Sequence, residues 1–231
     1  MRMEFTAEEL QAFAIAFDAG KPYEVEDVFE GMSQEQIMLR ANEICGRYIK
    51  DGVFGSPELE KLLYSFFYSV KVMSVSSKDI CWLSIFLSEY GWCGRYYDKS
   101  SDKYILWTIS GREEATATIL KTLKLNEISV SKKQKICFSG KEFKSEVDAD
   151  FYGKDTIASR AYHGCINNDL MLCDDNVELG YPMTMTTQFT VTSEGILYLK
   201  SQMEEDRVFV EAGMTDTQGL INAAFYEIRT K

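Results

Sequence analysis

Residues 33–70 read SQEQIMLRANEICGRYIKDGVFGSPELEKLLYSFFYSV, two helices with their stop and start signals written out. Ser33 and Gln36 form a capping-box pair, with Met32 and Ile37 at the positions of a hydrophobic staple. Ile37, Ala41, Ile44, Cys45 and Tyr48 then recur at helical spacing until Asp51-Gly52 stops the helix. Ser56 followed by Pro57 opens the next helix as an N-cap and a first-turn proline. Leu59, Leu62, Leu63, Phe66 and Phe67 supply its apolar face. After Val70 the period changes to two, and Val70, Val72 and Val75 read as a strand. The apolar run from Ile80 to Leu87 reads as a second, buried strand.

Outward from this stretch the same signals recur. Thr6 and Glu9 make another capping box, stapled by Phe5 and Leu10, for a helix running to about Phe17. An acidic connection, Tyr23 to Gly31, leads into Ser33. Downstream, GWCGRYYD (91–98) and KYILWTIS (103–110) are strand-like runs around the polar turn Lys99-Ser100-Ser101-Asp102. Ser110 and Glu113 are expected to cap a helix to Leu123, with Ile119, Leu120 and Leu123 turned inward. Ser139 and Glu142 pair to cap a short helix carrying Phe143 and Val147, and Lys154–Tyr162 reads as another. From Met183 the alternation returns in TMTTQFTVT, ILYLKS and VFVEA, with EEDR as a turn. Thr215 and Gln218 are expected to cap a closing helix with Leu220, Ile221, Ala224, Phe225 and Ile228 on its apolar face. The fold class is mixed, α/β in the α+β sense. One domain spans 1–231, divisible into halves 1–125 and 126–231 that each run from helices through strands to a closing helix.

Composition narrows the function classes. The chain has 231 residues and a net charge of −11, which argues against affinity gained by neutralising phosphates. Thirteen acidic residues face five basic ones within residues 1–60, so most of that charge sits at the start. The helix pair followed by a hairpin could suggest a winged helix-turn-helix, but its second helix opens with Glu58 and Glu60 and carries bulky aromatics, which suits a protein core or partner. No apolar run approaches the roughly 20 residues that span a bilayer, and MRMEFTAEEL lacks the apolar stretch of a secretion signal. The expectation is a cytoplasmic protein without membrane insertion, its six cysteines free thiols. His163 is the single histidine. With Cys165, Cys173 and Asp169 or Asp174 it matches no closed zinc set, and the apolar context of the cysteines suits inert thiols. No phosphate-cradling loop or nucleophile elbow follows a strand. The sequence points to no enzyme, no cofactor, no metal and no nucleic acid.

The order of these elements resembles a known family. FTAEELQAFAIAF, a helix ending at the Asp51-Gly52 turn, PELEKLL, the hairpin GRYYDKSSDKYILWTI, then FTVTSEGILYLKS, a strand and a closing helix together resemble the EspG family. These are cytosolic chaperones of type VII secretion systems, with similar proteins encoded beside such systems in Firmicutes. The composition, rich in Lys, Ile, Tyr and Phe, suits a low-GC Gram-positive bacterium. The resemblance implies a central, mainly antiparallel sheet with flanking helical bundles in a quasi-two-fold arrangement. It implies a non-catalytic chaperone or adaptor that binds a helical secreted protein or effector and contacts the secretion machinery. In mycobacterial members the substrate is a PE–PPE helical heterodimer gripped at its tip; in a Firmicute relative a WXG-like or LXG-like helical protein takes its place.

Two segments become candidate partner-binding sites under that resemblance. A strand–strand loop takes part in substrate contact in the family, and Asp98, Lys99, Ser100, Ser101 and Asp102 form the matching turn; the alternative is a solvated hairpin tip. A chaperone for helical hairpins must also cover an amphipathic face. Leu220, Ala224 and Phe225 of the closing helix are candidates for it, unless they simply pack on the sheet. A different class of function fits the acidic composition as well: a cytosolic immunity protein that neutralises a cognate toxin.

Overall fold

A computed structural model describes residues 1–77, 80–130, 132–148, 156–165, 170–176, 181–204 and 207–225. Among these the elements run β1 (Arg2–Phe5), α1 (Ala7–Ala16), α2 (Gln34–Lys50), α3 (Pro57–Phe67), β2 (Lys71–Ser77), β3 (Ile80–Ser88), β4 (Gly91–Asp98), β5 (Lys103–Ile109) and α4 (Arg112–Leu123). They continue with β6 (Gln134–Ser139), α5 (Gly140–Asp148), α6 (Ile157–Cys165), β7 (Leu170–Asn176), β8 (Tyr181–Thr192), β9 (Gly195–Glu204), β10 (Arg207–Thr215) and α7 (Thr217–Phe225). The fold is α+β, as expected from the sequence, with the antiparallel strand pairing that the family resemblance implied. The chain divides into two compact units, one of Met1–Val72 with Leu83–Ala115 and one of Met73–Trp82 with Thr116–Lys231.

In the first unit the strands lie in the order β1-β5-β4-β3. Phe5 pairs with Tyr104, Gly94 with Trp107 and Phe86 with Cys93. Because alternate residues point to opposite faces, Phe5, Tyr104, Arg95 and Phe86 share the face on which the helices pack. Phe13 of α1 meets Phe5 edge-on at 5.6 Å, and Phe66 of α3 meets Phe86 at 4.7 Å. Both expected capping boxes are present: Thr6 with Glu9, and Ser33 with Gln36. Ser56 caps α3 behind its first-turn proline. Of the α2 stripe, Ala41 and Ile44 are buried, whereas Ile37, Cys45 and Tyr48 are half-buried. Trp107 lies flat on Gly94, where a Cβ would stand 2.2 Å from the indole, so only glycine admits that close approach.

In the second unit the order is β2-β7-β8-β9-β10-β6. Helix α6 packs through small residues, with Ala158 and Ala161 fully buried against Ala212 beside Phe138, Phe143 and Leu199. Ser139 and Glu142 form their capping box and start α5. Two caps differ from expectation by one residue. At α4 it is Glu114, not Glu113, that accepts from the Ser110 N–H at 2.7 Å, because the helix starts at Arg112 and Glu114 is its third residue. At α7 the cap is Asp216, not Thr215: Thr215 ends β10, and Asp216 Oδ1 accepts from the Gly219 N–H at 2.7 Å. Three strands went unread in the sequence: β1, β6 and β7.

Candidate partner-binding surface

The turn after β4 is built by its own acids. Asp98 pairs with Lys103, leaving Lys99 to Asp102 as a four-residue loop. Asp98 Oδ1 accepts from the Ser100 N–H at 2.9 Å and from its hydroxyl at 2.7 Å, an Asx turn, while Oδ2 accepts from the Ser101 hydroxyl at 2.9 Å. Those donors, the Ser100 hydroxyl first, hold the Asp98 carboxyl below the usual carboxylate range. Asp102 sits at φ 55, a left-handed conformation that aspartate tolerates better than most residues. Its Oδ1 accepts from the Tyr97 hydroxyl at 2.5 Å, which with partial desolvation pushes that phenol up to about 12. The loop is exposed yet bonded within itself.

The three tyrosines flanking the tip have distinct tasks. Tyr97 is exposed and packs on Tyr104 with ring centroids 5.0 Å apart. Tyr104 is buried, and its hydroxyl oxygen accepts from the Glu26 N–H at 3.2 Å. Tyr96 accepts from the Arg2 guanidinium at 2.7 Å on the other face. Below them lies a residue that sequence reading did not single out. Arg95 is buried, held between the rings of Phe86 and Tyr104 at 5.3 and 5.8 Å. It donates to Glu24 at 2.6 Å, to Ser84 at 3.0 Å and to the Tyr23 carbonyl. With the Tyr104 hydroxyl, this guanidinium ties the acidic connection to the sheet, which accounts for a segment so rich in carboxylates lying against apolar strands.

The candidates on α7 belong to the second unit. Leu220 is fully buried, as is Ile221, so Leu220 packs α7 onto its own unit and offers no side chain to a partner. Ala224 is half-buried. Phe225 ends the helix, and its side chain, like residue Ile228, lies outside the described residues. The last turn of α7 is clamped by Lys200, 1 % exposed, whose ammonium donates to the Ala223 carbonyl at 2.6 Å. Beside it, buried Glu211 accepts from Lys135 at 2.8 Å and from the Tyr198 hydroxyl at 2.9 Å. The Cys137 thiol donates to Glu211 as well, at 3.5 Å, so a cation at a helix C-terminus and a carboxylate shared by three donors form a satisfied structural network.

Reactive groups are not gathered. His163 is exposed in the last turn of α6, and Asp169 lies outside the described residues. Among the described residues no group of three or more His, Cys, Asp or Glu side chains could hold a metal ion. All six cysteines are free. Burial raises the thiols of Cys45, Cys93 and Cys137 and pushes that of Cys165 up to about 12, which disfavours the thiolate. No helix among the described residues is long and apolar enough to cross a membrane.

No family model and no curated protein matches the sequence. Solved structures do. The chain is similar to the Mycobacterium tuberculosis type VII secretion system chaperone EspG5, solved in complex with a PE25–PPE41 dimer, with a TM-score of 0.60 over 97% of this chain and 94% of that one. The two share 7% sequence identity, so the likeness is one of fold. The chain has an EspG-like α+β fold along nearly its whole length.

Proposed function

We propose that this chain is a non-catalytic chaperone or adaptor of a type VII secretion system that holds a helical secretion substrate in the cytoplasm. The observation that carries the reading is the end-to-end fold likeness to a chaperone solved with a dimeric partner. A fold can host unrelated functions, so the tip geometry matters as well. The turn Asp98–Asp102 is an ordered, exposed loop of the kind that recognises a partner while keeping its own shape. In this proposal the tip contacts the substrate, and the partner is a WXG-like or LXG-like helical protein.

Affinity purification of the tagged chain from its native host, followed by mass spectrometry, tests the reading. The expected product is a helical protein encoded beside a secretion ATPase. Recovery of a toxin domain instead sinks the chaperone reading in favour of an immunity role. A salt titration of the recovered complex then separates the binding modes. Apolar helix contact changes little, whereas ion pairing fades with the roughly 8–10 Å screening length of physiological salt. A hundredfold or greater loss of affinity at high salt would assign binding to the acidic surface.

A further inference from the structure

At the opposite end of β4 from the turn, the C-termini of α1 and α3 meet a cluster of tyrosines. Phe17 caps α1 and Tyr68 caps α3, and the Tyr68 hydroxyl donates to the Phe17 carbonyl, tying the two ends together. Tyr64, Tyr68 and Tyr90 close a triangle with ring centroids 5.6, 5.1 and 5.9 Å apart. Tyr68 and Tyr90 remain 37 % and 42 % exposed, and neighbouring Val70 is 47 % exposed. Beneath them a chain of rings descends to the core. Tyr64 meets Phe17 edge-on at 5.0 Å, Phe17 meets Phe54 at 6.1 Å, and Phe54 meets fully buried Phe13 at 5.0 Å. Rings held from below lose little further freedom on docking, the condition under which aromatic anchors are most effective.

Charge says what covers them. A helix C-terminus carries about half a negative charge, and neither α1 nor α3 has a basic residue in its last turn. Asp18 follows the α1 cap at φ 51. Its N–H donates to the Ile15 carbonyl at 3.1 Å and that of Ala19 to Ala14 at 2.8 Å, the paired bonds of a Schellman end. Glycine is the residue that position favours, and a carboxylate there opposes the helix dipole. Asp18 can adopt that conformation more readily than most residues, but its charge stands where the helix dipole disfavours it. Glu89, exposed and hydrogen-bonded to Tyr90, brings a second carboxylate. The next cation along the chain, Lys21, is taken by Asp27 at 3.0 Å.

Ring faces beside helix carbonyls and two carboxylates form a surface that an arginine or lysine side chain satisfies with both its charge and its flat or aliphatic body. We propose that this surface docks a cationic segment of a protein partner, with an arginine lying against Tyr68 and Tyr90 and with Asp18 and Glu89 as its counter-charges. The assignment does not depend on the chaperone reading.

Fluorescence anisotropy on the intact chain tests it, with a short amidated peptide carrying arginines at four-residue spacing and the same peptide with citrulline in place of arginine. The arginine peptide should bind saturably and the citrulline peptide should not. Tyr90→Ala and Tyr68→Ala should each weaken binding about fivefold, as expected of an exposed cation–π contact. Asp18→Gly should weaken binding while the melting temperature holds or rises, which separates recognition from folding even if Tyr68→Ala fails to fold. The double variant Glu30→Gln, Glu35→Gln removes two carboxylates at the other end of α2 from Phe54 and should bind as the parent does. Equal weakening by that double variant would reduce the effect to general attraction to the −11 charge and overturn the proposal. So would unchanged binding in the tyrosine variants, equal binding of the citrulline peptide, or no saturable binding.

Discussion

The two ends of β4, about 25 Å apart at the usual strand rise, are finished in opposite ways. At Asp98 the polar groups of the tip satisfy one another: one carboxylate accepts three hydrogen bonds and the next acid accepts the Tyr97 hydroxyl. At Tyr90 two helices end with no basic residue in their last turns, and aromatic rings stand at the surface. The first end is bonded within itself and leaves few free polar groups, so in the proposed role it would orient a partner more than grip it. The second is rigid from below and open above, so it suits affinity. Interfaces draw most of their energy from such buried aromatic anchors, while surrounding polar contacts contribute complementarity. The contrast teaches that an exposed loop and an exposed patch on one unit need not do the same work.

The largest expected effect comes from breaking the bar that joins these ends. In Gly94→Ala the new methyl meets the Trp107 indole where only 2.2 Å is available, so the ring and β5 must shift. Overpacking of this kind costs about 2 kcal/mol, read as a lower urea midpoint with an unchanged slope. An unchanged midpoint would mean the indole moves freely, and β4 would then be no rigid spacer. Next in size is Tyr68→Phe, which keeps the ring and removes the hydroxyl that ties the α3 cap to the Phe17 carbonyl. The cost should be about 1 kcal/mol, the net worth of one such bond. A larger loss would show that the hydroxyl holds the tyrosine end together more than its rings do.

A smaller effect on stability is expected at the other end. Replacing Lys99-Ser100-Ser101-Asp102 by Asn-Gly substitutes a two-residue hairpin turn for the four-residue loop, and folding should change by no more than about 0.5 kcal/mol. Binding of the natural partner should fall sharply if the tip recognises it. Folding and binding both unchanged would leave the tip a connector and shift the weight of recognition to the tyrosine end.

What was legible in the sequence was local. The boxes Thr6–Glu9, Ser33–Gln36 and Ser139–Glu142 each join residues three apart, and each formed as read. The hairpin around Lys99–Asp102 was equally plain, because alternation and a polar turn lie within one short window. The caps of α4 and α7 slipped by one, since Ser110 and Thr215 each neighbour a second residue able to start the helix, and strand length decided between them. Strand β1 is four residues long and takes its meaning from β5, far along the chain. In β6 the alternation gave no buried face to detect, and Ile136 is 47 % exposed. Arg95 in mid-strand carried no signal at all, since its partners Tyr23 and Glu24 lie some seventy residues away. The tyrosine cluster had one local trace, the spacing of Tyr64 and Tyr68 along a single helix face. Phe17 and Tyr90 join it only through the fold.

The smallest expected effect is also the most direct measure of whether the tip is ordered without a partner. Hydrogen bonds from Ser100 and Ser101 hold the Asp98 carboxyl below its ordinary value. A carboxylate depressed in the folded state contributes stability that is present above its unfolded pKa of about 3.9 and is lost as the pH falls through the lower folded value. Tyr97 works in the opposite sense: its phenol, raised to about 12 by Asp102, contributes below its unfolded value and loses that contribution as the pH rises through the folded one. The contribution of both groups is therefore complete between about pH 4 and pH 10. The tip itself stays bonded beyond that window, until Asp98 takes up a proton below its ordinary range and Tyr97 loses one at about 12. Global stability changes little because both groups are solvated. An NMR titration of the Asp98 carboxyl carbon and the Ser100 amide should show one shared inflection below the ordinary carboxylate range. Asp98→Asn should remove it without moving the signals of Tyr64, Tyr68 and Tyr90. An ordinary pKa at Asp98 would mean that the tip is ordered only by its partner, and the two ends of β4 would differ in composition but not in readiness.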